Sequence, residues 1–259
     1  MTPNGHDSWR GIRQVLLYNW PTYAWTALGC VSGGVATAVL PVPPALKRLA
    51  GLGIGAAGAW SVSSLLASHY VYDRSELGRW DWAADLFAPE SPRRVLNIHA
   101  GVDEAGGTLE RVFAGAEIQT ADMFDPLVTR SASIRRARAR ARAQGQHWEA
   151  EPVDPTALPF EDAAWDAVLL VFAAHEVRDT ATRHQLFREI RRVLRPGGRL
   201  LVVEHLRDLP NFLVFGPGFV HFLPRRAWLR AAQEARLTLA RERSVTPFVR
   251  VFVLEKTAA

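Results

Sequence analysis

Residues 154–205 read DPTALPFEDAAWDAVLLVFAAHEVRDTATRHQLFREIRRVLRPGGRLLVVEH. Two apolar runs inside this stretch, 167–173 and 199–203, have the length and β-branched content of buried parallel strands. Between them, residues 180–194 put Leu186, Ile190, Val193 and Leu194 on one helical face, with Arg183, Arg188, Arg191 and Arg192 mostly off it. Arg195-Pro196-Gly197-Gly198 is expected to stop that helix and turn the chain into the second strand. Strand, helix, turn and strand make a βαβ unit, so the fold class is α/β with a doubly wound sheet.

Toward the N-terminus the composition changes. No formal charge occurs from Gln14 through Leu46, nor from Leu49 through Tyr72. Residues 15–40 and 49–72 each supply the roughly 20 apolar positions that a membrane-spanning helix needs. Both are rich in Gly, Ala and Ser, which lets two helices approach closely. Pro41-Val42-Pro43-Pro44 makes the turn between them. Trp20, Tyr23 and Trp25 near one end, with Tyr70, Tyr72, Trp80 and Trp82 near the other, read as interfacial belts. The competing reading of the first run, a cleaved signal peptide, fits poorly with its length and with a second apolar run behind it. The expectation is a two-helix transmembrane anchor over 1–72 and an amphipathic linker helix over 73–92, at the membrane surface or capping the domain. An α/β domain is expected over 93–259.

The net charge of +5 and a pI of about 10 admit nucleic acid, an anionic membrane surface or anionic ligands as partners. Five arginines, 135, 136, 138, 140 and 142, crowd a helix expected over 134–146 and spread around it, as on a solvated helix or one drawn to anionic lipid headgroups. No aromatic platform is interleaved with them, which argues against nucleic acid. A single cysteine, Cys30, excludes an internal disulfide framework and a Cys-rich metal site. Further strands are expected at 94–98, 116–120, 148–153 and 248–254, and a helix at 228–235.

Leu158-Pro159-Phe160 ahead of one strand and LRPGGRLLVVEH at the next resemble class I S-adenosylmethionine-dependent methyltransferases, most of all the quinone- and sterol-methylating branch. The resemblance implies a seven-stranded, Rossmann-like methyltransferase sheet behind the hairpin and S-adenosyl-L-methionine as cofactor. In the family a Gly-rich turn follows the first strand. Here Asn97 stands for its usual acid, His99 for the first glycine and Asp103 for the last, and only Gly101 falls on a glycine position. The family's ribose-binding acid carries over to Asp122, followed by Met123. Its adenine-side loop carries over to Asp154, Pro155 and Thr156.

Ligands of open α/β sheets bind outside the carboxyl ends of the strands. His175 and Glu176 follow the fourth strand, Glu204 and His205 end the fifth, and His221 lies in the apolar, turn-rich segment 212–223, where the family has a lid over the acceptor. Methyl transfer to oxygen or to an acidic carbon needs a proton removed, and a histidine suits that task. His175 or His205 is expected as base, oriented by Glu176 or Glu204. No tight ligand spacing marks a metal site, so no metal is expected. The chain reads as a methyltransferase of a lipophilic small molecule such as a quinone, isoprenoid or lipid, held in the inner or cytoplasmic membrane with its catalytic domain in the cytoplasm. The alternative is a catalytically silent relative acting as a binding or scaffold module.

Overall fold

The computed structural model describes residues 9–88, 90–105, 107–144 and 150–257. The chain opens as a helical pair, α1 (Arg10–Val39) and α2 (Pro44–His69). Pro44 starts α2, where a missing N–H is harmless. The helices run antiparallel: the Tyr23 hydroxyl lies 3.3 Å from Ser64 Oγ, and the Cys30 thiol faces the Ile54 carbonyl. No residue of α1 is buried, and only Ala67 and Ser68 of α2 are. Trp20, Trp25, Val31, Val35, Leu49, Leu52 and Leu66 stand exposed. Among the described residues one helix, Pro44–Arg74, is long and apolar enough to cross a membrane by length and composition.

The base of the hairpin is fastened. Asp73 sits in a π-helical turn, Tyr70–Arg74, that continues α2. Its carboxylate accepts from the backbone N–H of Gly11 at 2.6 Å and of Ile12 at 3.1 Å, satisfying orphan donors at the start of α1. His69 Nδ1 lies 2.9 Å from the same carboxylate, and Trp9 stacks on the His69 ring.

The single amphipathic helix expected over 73–92, at the membrane surface or capping the domain, is not formed. A 3-10 turn, Glu76–Gly78, and the short α3 (Asp81–Ala84) take its place. Leu77, Trp80, Trp82, Leu86 and Phe87 are buried against the sheet, and Trp80 stacks on Trp82. These two tryptophans are core residues, not an interfacial belt: the sheet needs a cover on this face, and their large apolar area is satisfied there.

The sheet follows: β1 (Arg94–His99), α4 (Thr108–Val112), β2 (Glu117–Asp122), α5 (Ala132–Ala143), β3 (Glu151–Pro152), β4 (Trp165–Val171), α6 (Thr180–Val193), β5 (Leu194–His205), α7 (Leu209–Phe215), α8 (Arg225–Glu234), β6 (Thr238–Thr246) and β7 (Val249–Glu255). Its seven strands lie in the order β3-β2-β1-β4-β5-β7-β6, with β7 antiparallel between β5 and β6. β6 has no counterpart among the expected strands, and β3 is two residues long; Trp148, Gly145 and Gln146, included in the expected strand and helix, lie outside the described residues. Alternate side chains feed two cores. Leu170 and Val202 meet Leu186, Phe187 and Ile190 of α6 and Trp228 of α8; Val95, Leu169 and Leu201 meet Trp82, Leu109 and Phe113.

Arg195-Pro196-Gly197-Gly198 does not separate α6 from the strand as expected. β5 starts at Leu194, opposite Trp165, and its pairing slips until Arg199 meets Ala167. The four residues are an excursion within the strand, tied down where Gly197 N–H donates to the Lys256 carbonyl at 2.7 Å.

α7 and the 3-10 turn Gly216–His221 lie against α2. Ser63 Oγ donates to the Val214 carbonyl at 2.8 Å, and the Trp60 ring meets Phe212 edge-on. Gly216 is so close to Trp60 that a Cβ there would stand 2.5 Å from the ring. The hairpin is therefore docked on the segment after β5.

Candidate active site

The carboxyl ends of β4 and β5 bring His175, Glu176, Glu204 and His205 to one rim, as the topology rule anticipates. Their pairing is decided in three dimensions. His175 Nδ1 lies 2.8 Å from Glu204 Oε2, and its Nε2 lies 3.3 Å from Glu176 Oε1. Glu204 is fully buried and also accepts from the His175 backbone N–H at 3.2 Å. Burial alone would lower the His175 pKa, but the charge of Glu204 and the hydrogen bonds to both carboxylates outweigh it and push the value up to about 10. Although burial pushes Glu176 the other way, hydrogen bonds from His175 and His221 hold it well below the usual carboxylate range. His175 is thus an imidazolium at neutral pH with both nitrogens engaged. A charged His175 held this way has no lone pair to offer a substrate proton.

His205 is its opposite. The ring lies stacked between Phe172 and Phe222, with centroids 5.1 and 4.9 Å away. Nδ1 is 2.9 Å from the Phe248 carbonyl, which can only accept, so Nδ1 carries the proton and Nε2 the lone pair. The hydroxyl of Tyr72 lies 3.3 Å from Nε2. Burial, with the charge of His175 nearby, depresses the His205 pKa to about 4 despite the Phe248 carbonyl. It is neutral at physiological pH, and it is oriented by a backbone carbonyl rather than by Glu176 or Glu204.

Ligand atoms of His175, Glu176 and His221 lie within 4.8 Å of one another. They are committed to one another and to Arg178, whose guanidinium lies 2.8 Å from His221 Nε2, so a metal ion there would meet a fixed positive charge. Two cavities meet at this rim. One, of about 190 Å³, reaches Ala100, Val102 and Glu104 in the turn after β1; the other, of about 1180 Å³, runs between the hairpin and the segment after β5. Tyr72 lines both.

Residues 119–202 match a family described as a methyltransferase domain. A demethylmenaquinone methyltransferase of Thermus thermophilus is 35% identical over 122 residues, which are 47% of this chain and 51% of that protein. A ubiquinone/menaquinone biosynthesis C-methyltransferase of Paracoccus denitrificans is 32% identical over 149 residues, 57% of this chain and 55% of its own. The chain thus spans about half the length of the curated relatives it matches. The fold is shared with a crystal structure of the PH0226 protein of Pyrococcus horikoshii, at a TM-score of 0.51 and 20% identity, over 73% of this chain and 96% of that one.

The cofactor of such domains is S-adenosylmethionine. Gly101 has φ +91, a conformation that glycine adopts freely, so the one glycine retained in the turn is the one the backbone requires. His99 Nε2 is buried without a hydrogen-bond partner beside that turn. These features fit the cofactor.

The expected ligands are used partly by the protein itself. Asp122 ends β2 and accepts from Gly101 N–H at 2.8 Å and Phe124 N–H at 2.9 Å, while Arg138 of α5 pairs with its other oxygen. Burial would raise its pKa, but the His99 and Phe124 hydrogen bonds and the Arg138 charge hold it below the ordinary value. A ribose held by Asp122 would have to share this carboxylate with Arg138 or displace it. Asn97 Nδ2 donates to Asp103 at 3.0 Å, so these two replacements in the turn bond each other. Met123 is buried, its N–H donating to the His99 carbonyl. Asp154 is exposed and accepts from the N–H and hydroxyl of Thr156 at 2.7 Å each, closing its own turn through Pro155. Neither it nor Thr156 lines the two cavities at the rim.

Asp122→Ala is expected to weaken S-adenosylmethionine binding by about 1–3 kcal/mol, the scale for an unpaired polar partner. Calorimetric titration of the full chain measures it; an unchanged affinity would move the ribose site away from β2. Sequence reasoning missed Tyr72 and Arg138 as site residues. Tyr72 looked like part of an aromatic belt, and Arg138 like one cation among five.

Proposed function

We propose that this chain is a membrane-anchored S-adenosylmethionine-dependent methyltransferase acting on a lipophilic quinol-type ring. The observation that carries the reading is the cavity of about 1180 Å³ that opens at His205, His221 and Tyr72, with an apolar wall of Phe215, Phe222 and Trp60. The relatives named as quinone methyltransferases support the same acceptor class. The exposed apolar surface of the hairpin and the one helix of spanning length support insertion in the inner or cytoplasmic membrane, with the catalytic domain on the cytoplasmic side.

When bound, S-adenosylmethionine supplies an electrophilic methyl. The protein's part is to hold the ring and take its proton. A ring hydroxyl placed against Tyr72 can pass its proton toward His205 Nε2, with the Tyr72 hydroxyl as relay at 3.3 Å. The phenolate so formed carries its charge onto the neighbouring ring carbon, which then takes the methyl; loss of that carbon's hydrogen as a proton restores the aromatic ring. The stacked rings of Phe172 and Phe222 fix the imidazole plane and keep water from Nε2.

A second reading, a catalytically silent binding module, is favoured by one observation: Arg138 already occupies Asp122. The two readings separate when purified full chain is held with methyl-labelled S-adenosylmethionine and a membrane lipid extract. Label in a quinol fraction supports the enzyme. Cofactor binding without label in any lipid supports the silent module.

A further inference from the structure

We propose that the groove the hairpin forms with the segment after β5 binds a long apolar tail on the methyl acceptor, so that the hairpin forms part of the substrate site and is more than a tether. This rests on the lipophilic acceptor proposed above. The large cavity does not end at the rim. At about 1180 Å³ it exceeds the roughly 300–1,000 Å³ of a pocket for a compact small molecule. Its lining descends from Tyr72 in the π-helical turn along α2 through Ser64, Trp60 and Ala57 to Gly53, with Tyr23 and Thr26 of α1 beside them and Phe215 and Phe222 at the rim end. At 1.5 Å per residue, the α2 wall from Gly53 to Tyr72 is about 28 Å long. A bare ring would fill only its upper end.

The chemistry of the wall changes along its length. Arg130, Arg136, Arg178 and Glu176 line the catalytic end. The α1 and α2 residues of the lining fall within the two stretches that carry no formal charge. Several hydroxyls on this wall are turned back on their own helices. Thr26 Oγ1 donates to the Thr22 carbonyl, Ser61 Oγ to Ala57 and Ser64 Oγ to Ser61, at 2.9–3.0 Å. The cleft therefore offers small side chains with their donors already satisfied, a surface that accepts hydrocarbon without leaving a polar group unpaired. The polar end and the uncharged length match an amphiphile: a reactive ring carrying a long hydrocarbon chain.

The cleft is also held in line with the rim. Asp73 clasps the first turn of α1, Ser63 bonds the Val214 carbonyl, and Trp60 lies against Phe212 and Gly216. A freely swinging anchor would need none of these contacts.

The test uses the full chain in phospholipid nanodiscs with two probes: 1,4-naphthoquinol without a tail, and the same ring carrying a polyprenyl tail that ends in a photoreactive diazirine. Photolabel mapped by peptide sequencing is expected within residues 22–26 and 53–61. Gly53→Leu adds bulk at a position that lines the cavity and where a Cβ meets nothing within 4 Å. It is expected to raise KM for the tailed ring about tenfold, the effect of displacing about two methylene units, and to leave the bare ring unchanged. Gly51→Leu also meets open space but lies off the cavity, and should alter neither. Label on the outer faces of the helices, label abolished by added phospholipid, or an equal change in KM for both rings would overturn the proposal. If the wild type methylates neither ring, the methyl-transfer reading fails, and the map of the photolabel still decides who occupies the cleft.

Discussion

His205→Phe is expected to lower turnover on the acceptor by about 10²–10⁴-fold, the contribution of a positioned general base, with S-adenosylmethionine affinity almost unchanged. The substitution keeps an aromatic ring between Phe172 and Phe222, so the site stays filled, and removes the Nε2 lone pair that faces Tyr72. The pH profile carries a second signature. His205 is neutral above about 4, and His175 stays charged up to about 10. Neither group titrates near the ordinary histidine value of 6.5. Wild-type turnover should therefore run level through neutrality as far as these two groups govern it. A rise centred near 6.5 that disappears in His175→Ala would return the role of base to His175.

Glu204→Ala is expected to cost about 3–5 kcal/mol of folding stability, because it strips a buried charge of its partner. Glu204 is fully buried, and its two oxygens hold both the side chain and the backbone N–H of His175. The pair also sets a pH dependence. The folded-state pKa of His175 lies above its unfolded value, so its stabilisation is fully present below about 6.5 and is lost as pH rises through about 10. Thermal melts of the full chain in detergent should fall across that window in the wild type and change less in Glu204→Gln. A Glu204→Ala variant that melts with the wild type would mean that water, not Glu204, solvates His175.

Much of the scaffold is legible in the chain itself. β4, α6 and β5 could be read because an uninterrupted apolar run and a one-sided apolar helix have few other ways to escape water. The two uncharged stretches and the proline-rich turn between them announce a helical pair for the same reason. β6 escaped notice because Thr238–Thr246 is rich in charge: it is an edge strand whose place is set by backbone bonds to β7, which carry no side-chain signature. Trp80 and Trp82 were misplaced because a tryptophan beside an apolar run suits an interface and a core equally well, and only the uncovered face of the sheet chooses between them.

The site divides along the same line. Topology sends both histidines to the carboxyl ends of their strands, and that much follows from the order of strands and helices. Which histidine is charged does not. His175 meets Glu204 across 29 positions of sequence, whereas His205, next to Glu204 in the chain, points instead to the Phe248 carbonyl and to Tyr72, 133 positions away. A pKa is set by desolvation and by the charges and dipoles within a few ångströms, and those distances exist only once the sheet has formed and the hairpin has docked on it.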